Sequence, residues 1–406
     1  MNTKEPLNLM PGRTTISRPA DATSEGSASW RTDVAMLAIG TFAVGTDAFV
    51  IAGVLPSVAS TLHVSIAGAG QMVTVFSLAY ALSAPVVGAL CAGWPRRTSL
   101  SVGILVLVLG NILTALAPGF GLVLASRVVA AVGAGLYTAT ASATAAALAG
   151  PEKRGQAIAI VILGMTSSLV LGAPLGTAIS TFSNWRITLY AVAALGLVAG
   201  VAVFLRIPPL RDHAAAGLAV RLSPLRDRQI LRILLRALLV FTGIFIPYTY
   251  ISAIYAPLTQ PHPQLLSVLV LLFGAAGTAG NLLAGHLADR LGPPRVLVAG
   301  SLGLALIFVL IPWTRETVAL ALPCTFAAGL FTFSQTTPQQ HLILSHAPPG
   351  TQSFVTGLYQ AMLYLGVSLA GAFGALFLQH AGAHYLSLLA AIFVLAALLP
   401  RMSVKQ

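Results

Sequence analysis

Long apolar runs with very few charged positions are the main pattern of this chain. Asp47 is the only charged residue between Val34 and Pro95. Arg127 is the only one between Thr98 and Gly150. A helix that crosses a membrane needs about 20 mostly apolar residues, so each of these stretches can hold two helices. Two shorter runs before residue 206 can hold one each, which predicts six transmembrane helices in the first half of the chain.

The second half of the chain repeats this pattern. Residues 237–288 can hold two helices and residues 296–314 can hold one. Residues 317–400 contain no Asp, Glu, Lys or Arg and can hold three. The sequences that follow the predicted second and eighth helices, GALCAGWPRR and GHLADRLGPPR, are also alike. We therefore predict an all-α membrane protein with twelve transmembrane helices in two pseudo-symmetric six-helix halves.

These boundaries divide the chain into five segments. Residues 1–32 are polar and rich in Ser, Thr and Pro, without the apolar core of a cleavable signal, so we expect a disordered cytoplasmic tail. The other predicted segments are an N-terminal six-helix half (33–206), a cytoplasmic central loop (207–228), a C-terminal six-helix half (229–400) and a cytoplasmic C-terminus (401–406).

Composition and charge agree with a membrane protein and predict its orientation. Hydrophobic residues make up 57% of the chain and charged residues 8%, whereas soluble domains contain about 25% charged residues. With the N-terminus in the cytoplasm, all but three of the 22 Lys and Arg residues flank cytoplasmic helix ends. Arg236 is counted among them, just before the seventh helix. The positive-inside rule then places both termini in the cytoplasm, in a bacterial-type inner membrane.

The charge also narrows the classes of partner. The formal net charge of +12 is spread over short loops, which favours contact with anionic membrane lipid over nucleic acid. The chain has no phosphate loop of the form G-x-x-x-x-G-K-[ST], so ATP is not expected as an energy source. We expect no enzyme activity, no metal site and no cofactor.

The two isolated charges within predicted helices lie at matching depths. Asp47 is 13 residues beyond Val34, or about 20 Å into the first helix at 1.5 Å per residue. Arg127 lies nine residues into the fourth helix from the opposite side, which leaves roughly 16 Å to the cytoplasmic face of a ~30 Å core. No other acidic residue or arginine is predicted so deep. We therefore expect Asp47 and Arg127 to pair, or at least to interact electrostatically.

Two roles for Asp47 stay open. In the first, Asp47 permanently neutralises Arg127. In the second, Asp47 carries a proton, because burial disfavours the ionised carboxylate while Arg127 favours it, which leaves a group that can switch. A proton-coupled mechanism that uses a carboxylate has Asp47 as its candidate and Arg127 as the partner of that group.

The loop after the predicted eighth helix contains a specific motif, formed by Gly285, Asp289, Arg290, Gly292 and Arg295. It resembles the loop signature of the major facilitator superfamily, which recurs after the second and eighth helices. The resemblance implies that Asp289 and Arg290 form a charge latch that holds the halves together in the outward-open state. The alternative is that both are solvated and only fix the topology. The copy after the second helix lacks the Asp and the Arg.

Three more stretches resemble one branch of that superfamily. Residues 125–135, ASRVVAAVGAG, resemble the fourth-helix signature of proton-coupled members, with Arg127 as the arginine. Residues 164–180, GMTSSLVLGAPLGTAIS, resemble the fifth-helix antiporter signature. Residues 45–56, GTDAFVIAGVLP, resemble the first helix of twelve-span drug:proton antiporters, especially their sugar-efflux and chloramphenicol-efflux branches.

The predicted fifth helix has a face of small residues. Gly164, Gly172 and Gly176 are spaced by eight and four positions, which places them on one helical face. Pro174 removes a backbone donor and favours a bend. Small residues let a neighbouring helix approach closely. The resemblance implies a gating helix at the interface between the halves that limits ion leak, and plain helix packing is the alternative.

The substrate cavity is expected near the membrane midplane, between the two halves. Its candidate residues are polar or aromatic side chains within apolar helices, namely Thr46, Gln71, Tyr80, Tyr137, Tyr248, Tyr250, Gln335, Gln360 and Tyr364. Since no second acidic residue is predicted deep in a helix, an uncharged or weakly charged amphiphile fits such a cavity better than a multivalent cation.

The resemblance implies a proton-coupled secondary transporter that exports small organic molecules, such as a drug, a sugar or a related metabolite, by alternating access. A proton gradient would supply the energy, and a monomer would suffice. One alternative is a proton-coupled uptake permease for a sugar or nucleoside. Another is a transport-inactive membrane sensor or scaffold.

Overall fold

The computed structural model describes residues 22–91, 93–210, 223–348 and 351–399 of the chain. Within these ranges the secondary structure is helical, with one π-helical turn and short 3₁₀ turns. The first 21 residues of the predicted tail, most of the predicted central loop and the predicted C-terminus 401–406 lie outside the described residues.

The first half of the chain forms six long helices. A helical segment that starts at Phe120 is divided at Gly150, whose φ of 73° is not helical, and its two parts are the fourth and fifth helices. A π-helical turn, Ser168–Gly172, lies in the middle of the fifth helix. The helices are α1 (Ala22–Leu62), α2 (Gln71–Leu90), α3 (Arg96–Leu116), α4 (Phe120–Gly150), α5 (Glu152–Phe182) and α6 (Trp185–Arg206).

The second half forms six more helices. The tenth is interrupted at Ser334 and Gln335, so its two parts are called α10a (Val318–Phe333) and α10b (Thr336–His346). The others are α7 (Arg228–Thr249), α8 (Gln264–Leu291), α9 (Pro293–Thr314), α11 (Gln352–His380) and α12 (Leu386–Ala396). Among the described residues, 11 helices are long and apolar enough to cross a membrane, and α12 is a shorter apolar one. The predicted all-α membrane fold is confirmed.

The helix bounds differ from the predicted segment boundaries at the N-terminal tail. α1 begins at Ala22, so the last part of the predicted disordered tail is helical. The helix continues in this direction because Trp30 is buried in the same hydrophobic cluster as Val34 and Leu37. The central loop is closer to expectation, since α6 ends at Arg206 and α7 starts at Arg228.

Polar caps and one glycine set several helix ends. The Asn184 side chain accepts a hydrogen bond from the Ile187 amide at the start of α6, and the Asp227 carboxylate accepts one from the Gln229 amide at the start of α7. Such caps satisfy amides that have no partner within the helix. Gly292 separates α8 from α9 with a φ of 84°, a conformation that favours glycine.

The two halves pack against each other unequally along their length. We call the side that carries the α2–α3 and α8–α9 loops the predicted cytoplasmic side, and the opposite side the predicted outer side. One hydrophobic cluster joins the outer part of α1, near Val50 to Val58, with α7 and much of the C-terminal half. The cytoplasmic part of the N-terminal half forms a separate cluster, to which α11 contributes Tyr364. The halves are therefore joined most extensively on the predicted outer side.

Candidate functional site

A buried ion pair lies in the centre of the N-terminal half. Arg127 Nη1 on α4 donates to Asp47 Oδ1 on α1 at 2.6 Å, and both side chains are fully buried. Arg127 Nη2 lies 3.4 Å from the Asp47 carbonyl oxygen. The guanidinium also packs over the Phe76 ring of α2, 4.3 Å from the ring centre, a position that favours a cation. The structure thus brings the two predicted partners together.

The pair leaves two polar atoms without a hydrogen bond. Asp47 Oδ2 and Arg127 Nε are buried and have no hydrogen-bond partner among the described residues. A buried carboxylate is stable in its charged form when both of its oxygens are satisfied. Asp47 has one oxygen held by Arg127 and one without a hydrogen-bond partner among the described residues.

A narrow cleft lies beside the pair, between the two halves. Its volume of about 10 Å³ is about enough for one water molecule, so in this conformation the cleft is almost closed. Its walls are mainly apolar and aromatic, with a few hydroxyl groups and no charged side chain. The lining residues are Ala48, Phe49, Ala52, Val73, Ser77, Phe245, Tyr248, Thr249, Leu363, Tyr364 and Val367. Most ligand sites have this character, with an apolar wall and few polar groups that orient the ligand.

Tyr364 connects the cleft to the ion pair. This residue belongs to α11, in the opposite half from Asp47, and its hydroxyl lies close enough to the Asp47 carboxylate to interact electrostatically. Its ring stacks on that of Tyr80, with 3.7 Å between the ring centres. The Tyr80 hydroxyl is hydrogen-bonded to that of Thr138 on α4. Tyr364 thus lies on the cleft and within electrostatic range of Asp47.

The cleft is closed towards the predicted outer side by contacts between the halves. The Tyr248 hydroxyl donates to the Phe49 carbonyl oxygen at 3.0 Å, and the Ser368 hydroxyl donates to the Thr74 carbonyl oxygen at 3.0 Å. Phe49 also stacks on Phe245, with 6.2 Å between the ring centres. These contacts join α1 and α2 to α7 and α11.

The predicted substrate residues divide into two groups. Tyr248 and Tyr364 line the cleft, and Tyr80 stacks directly on the second of them. Phe49, Phe245 and the other apolar wall residues were not predicted, because the candidate positions were Thr, Gln and Tyr residues, whose polar groups stand out in an apolar helix. Phe49 lies two positions after Asp47 and Phe245 three positions before Tyr248, and such proximity is a weak signal in a chain so rich in apolar residues.

The other predicted substrate residues do not line the cleft. The hydroxyls of Tyr137 and Tyr250 donate to backbone carbonyl oxygens at 3.1 and 2.7 Å, and that of Thr46 donates within its own helix at 2.8 Å. Gln71 and Gln360 lie away from it as well. A polar residue within a helix must find a partner somewhere, and helix packing decides which face it occupies. In this structure these five positions lie outside the cleft lining, and a role for them in substrate binding stays a prediction.

The glycine face of α5 packs within its own half. A Cβ at Gly164 would overlap the Ala38 carbonyl oxygen, and one at Gly172 or Gly176 would overlap side chains further along α1. Pro174 lies two residues after the π-helical turn, at the start of the second part of α5. The three glycines therefore let α1 and α5 approach closely. The expected contact with the other half is made by a different part of α5, where the Leu169 carbonyl oxygen lies against Gly274 of α8.

The loop motif is exposed in this structure. Asp289 and Arg290 are exposed, and neither forms an ion pair with another described residue. Gly285 has room for a side chain, whereas Gly292 has the positive φ given above. Arg295 Nη1 lies 3.5 Å from the Leu291 carbonyl oxygen. The latch role of Asp289 and Arg290 stays a prediction for the other conformation, in which the predicted cytoplasmic ends would meet.

A second buried arginine corrects the expectation that Arg127 is alone. Arg236 is fully buried on α7, and its Nη2 donates to Gln335 Oε1 of α10 at 3.1 Å. Gln335, a predicted cavity residue, is thus held inside the C-terminal half. Arg236 ends the Arg-rich segment 206–236, and this position predicted that it lies at the cytoplasmic end of the seventh helix. The apolar run on both sides of Arg236 was the available signal.

Comparison with known proteins places the whole chain in one family. The Major Facilitator Superfamily matches residues 37–260 and 237–404. YbcL of Bacillus subtilis (strain 168), an MFS-type transporter, is 32% identical over 377 residues, which cover 92% of this chain and 95% of YbcL. A chloramphenicol resistance protein of Streptomyces lividans is 35% identical over 303 residues, 74% of this chain and 77% of the relative.

A solved structure has the same fold. A bacterial homologue of the human lysosomal transporter Spinster, in an inward-facing and unoccupied conformation, aligns with a TM-score of 0.71 at 15% sequence identity, over 93% of this chain and 96% of that one. The twelve helices, the loop motif and these matches lead to the same assignment. The chain belongs to the major facilitator superfamily, and it is a multi-pass membrane transporter that resembles the drug-efflux branches of that family.

Proposed function

We propose that this protein is a proton-coupled exporter of small, uncharged or weakly charged amphiphiles, which works by alternating access. It would act as a monomer in a bacterial cytoplasmic membrane, with both termini in the cytoplasm and the proton gradient as its energy source. No cofactor is needed for this mechanism. The observation that carries the proposal is the buried Asp47–Arg127 pair beside a cleft between the halves.

Asp47 is the proposed proton carrier. Among the described residues, Asp47 is the one acidic side chain that is buried, and its Oδ2 has no hydrogen-bond partner there. When Oδ2 binds a proton, the carboxyl loses its charge and its attraction to Arg127 weakens. When the proton leaves, the ion pair re-forms. Because Arg127 stays charged throughout, each proton changes the local net charge by one.

The change at Asp47 has a route to the other half. Tyr364 interacts electrostatically with Asp47 and lines the cleft. Loss of the negative charge alters the environment of this hydroxyl, and with it the contact between α2 and α11. A substrate in the cleft would touch the same side chain. Proton binding and substrate binding would then compete through one shared group, as exchange requires.

The cleft indicates the chemical class of substrate. Its aromatic walls include Phe49, Phe245 and Tyr248, and its polar atoms are hydroxyls, including that of Thr249, which has no hydrogen-bond partner among the described residues. Such a site favours a molecule with a flat apolar part and one or two hydrogen-bonding groups. The resemblance to chloramphenicol resistance and efflux proteins supports the same class.

The conformation fits a state open to the cytoplasm. The halves are joined on the predicted outer side by the Tyr248 and Ser368 hydrogen bonds, while the hydrophobic cluster of the N-terminal half is separate on the predicted cytoplasmic side. An exporter binds its substrate in this state. Closing the cytoplasmic side would bring the exposed Asp289 and Arg290 towards the N-terminal half.

The test uses purified protein in proteoliposomes, with radiolabelled chloramphenicol as the first probe. In an antiporter, protons leave the lumen as substrate enters it. An acidic lumen should therefore drive accumulation of chloramphenicol in the proteoliposomes, and an acidic exterior should not. Asp47→Asn should lose accumulation driven by the pH gradient and keep substrate exchange in the absence of a gradient. Asp33→Asn, on the same helix near its predicted cytoplasmic end, is the matched control and should behave as the wild type.

Three results would contradict parts of this proposal. Full gradient-driven accumulation by Asp47→Asn would remove its role as proton carrier. If Asp47→Asn does not fold, the double variant Asp47→Asn/Arg127→Gln, which leaves neither charge unpaired, serves instead. Accumulation driven by an acidic exterior would identify an uptake permease. If none of the antibiotics, sugars and nucleosides in a growth screen is transported, the protein would be better explained as a sensor or scaffold.

A further inference from the structure

A polar cluster in the C-terminal half is not used by the proposed proton and substrate site. Its centre is Arg236 on α7, eight residues after the start of that helix, or about 12 Å along its axis. Arg236 Nη2 donates to the Leu297 carbonyl oxygen at 3.0 Å, to Ser301 Oγ at 2.9 Å and to Gln335 Oε1 at 3.1 Å. One guanidinium therefore joins three helices, α7, α9 and α10.

The cluster lies where α10 is interrupted. Gln335 is one of the two residues between α10a and α10b, and the other, Ser334, accepts a hydrogen bond from Gln335 Nε2 at 3.3 Å. Ser301 Oγ also donates to Gln335 Oε1, at 3.1 Å. A Cβ at Gly300 would overlap the Gln335 amide. The glycine therefore allows α9 to lie close to the interruption of α10. The neighbouring helices are thus built around this break.

The segment beyond the break contains buried polar groups without hydrogen-bond partners. Gln339 on α10b is fully buried, yet both atoms of its amide lack a hydrogen-bond partner among the described residues. His346 Nε2, also buried, lacks one too. Unsatisfied buried groups are unfavourable.

Thr337 Oγ1 of α10b donates to Asn281 Oδ1 of α8 at 2.7 Å, and Leu342 and Ile343 pack in the large hydrophobic cluster. Gln335 adds a polar link from the break to α7 and α9.

The internal repeat gives this contact a counterpart. α7 and α10 occupy the positions in the second half that α1 and α4 occupy in the first, and those helices are joined by Asp47 and Arg127. The chemistry differs, because Gln335 carries no charge and an arginine does not lose its proton in proteins. The contact of the N-terminal half can switch with a proton, whereas the Arg236–Gln335 contact persists.

We propose that Arg236 is a positioning residue for transport, which anchors the interruption of α10 so that α10b moves together with α7 and α9. The anchor makes the predicted cytoplasmic end of the C-terminal half one rigid unit during alternating access. Without it, α10b would move independently of α7 about Ser334 and Gln335. This role requires neither the proposed direction of transport nor coupling to protons.

The test measures distances by pulsed electron paramagnetic resonance, in protein whose native Cys91 and Cys324 are replaced by alanine. Spin labels at Glu152→Cys and His341→Cys report the position of α10b relative to the other half. Labels at Glu152→Cys and Leu231→Cys report the position of α7. All three labelled positions are exposed. No substrate or gradient is present, so the outcome is independent of the transport assay.

We expect Arg236→Gln to broaden the 152–341 distance distribution and to leave the 152–231 distribution unchanged. Arg232→Gln, the same substitution one turn earlier at an exposed position, should change neither. Arg236→Lys should broaden the 152–341 distribution less, because an ammonium group can still reach one acceptor although it lacks the guanidinium fork.

Two results would overturn the proposal. If Arg236→Gln leaves the 152–341 distribution unchanged, Arg236 does not position α10b. If both distributions broaden together, Arg236 only stabilises the fold. If Arg236→Gln does not fold, Arg236→Lys is measured instead. A 152–341 distance distribution of Arg236→Lys identical to that of the wild type would show that Arg236 does not anchor α10b.

Discussion

At the scale of single residues, the two halves contain buried arginines with different partners. Arg127 faces a carboxylate at 2.6 Å, whereas Arg236 faces a carbonyl oxygen, a hydroxyl and an amide. Attraction between opposite charges offsets part of the loss of hydration on burial. A carboxylate adds what a neutral partner cannot, which is the ability to change charge by binding a proton.

Because a carboxylate can lose its charge and a guanidinium cannot, we expect Asp47→Asn and Arg127→Gln to lower the stability of the protein by different amounts. Removing one partner of a buried ion pair costs about 3–5 kcal/mol when the other charge remains. In Arg127→Gln, the lone carboxyl of Asp47 can neutralise itself with a proton. In Asp47→Asn, the lone Arg127 cannot lose its charge. Asp47→Asn should therefore lower the thermal unfolding temperature of detergent-purified protein more than Arg127→Gln does.

The double variant Asp47→Asn/Arg127→Gln is the control for this comparison. It leaves no buried charge in the pair, so its unfolding temperature should lie above that of Asp47→Asn. The unfolding temperatures are measured by size-exclusion chromatography after heating. Equal decreases in the two single variants would show that the pair is solvated and that burial does not govern its chemistry.

At the scale of helices, close approach of α1 and α5 shapes the site. The glycines of α5 allow α1 to lie against it along the length that carries Asp47. The π-helical turn at Ser168–Gly172 adds a residue to one turn of α5, next to Thr46 and Gly45. Such turns locally shift the faces of a helix. The position of Asp47 therefore depends on both helices.

Substitution of one glycine of α5 tests this packing. Gly164→Ala would place a methyl group against the Ala38 carbonyl oxygen, and overpacking of this kind costs about 1–3 kcal/mol. Gly155→Ala, in the same helix, meets no atom within 4 Å and should be neutral or stabilising, since alanine favours a helix by up to ~1 kcal/mol over glycine. Thermal unfolding of the two variants, side by side, gives the comparison.

Comparable unfolding temperatures for Gly164→Ala and Gly155→Ala would mean that α1 and α5 can separate at this point. The close approach would then not be needed to position Asp47.

At the scale of the whole molecule, closure of the predicted outer side depends on few polar contacts. The Tyr248 hydroxyl is one of them, donating across the halves to Phe49. A hydrogen bond of this kind contributes a net ~0.5–1.5 kcal/mol. Its loss in Tyr248→Phe should favour the outward-open state by up to about tenfold, because ~1.4 kcal/mol corresponds to a factor of ten in an equilibrium constant.

This shift is measured by thiol labelling. In protein without its native cysteines, Thr249→Cys introduces a thiol in the cleft, and a membrane-impermeant reagent added on the outer side should label it faster in the Tyr248→Phe background. Tyr385→Phe, which removes an exposed hydroxyl on the same side, should leave the labelling rate unchanged. An unchanged rate in Tyr248→Phe would show that packing alone closes this side.

Much of the architecture could be predicted from the sequence, because the membrane imposes a simple rule. Backbone groups in hydrocarbon must be paired within a helix, so a long apolar run such as residues 317–400 predicts helices directly. The Asp47–Arg127 pair could be located for a related reason. A charge is rare in an apolar run, and helical rise converts its sequence position into depth.

The sequence could not predict which residues face the cleft or that Arg236 is buried. Tyr137, Tyr248 and Tyr250 look alike along the chain, yet only Tyr248 lines the cleft. Rotation of each helix and its neighbours decide that outcome, and these depend on packing between residues far apart in sequence. By itself, the sequence determined the helices, their repeat and the depth of Asp47 and Arg127. Tertiary structure decided which side chains meet, because partners such as Arg236 and Gln335 are brought together only when α7, α9 and α10 pack.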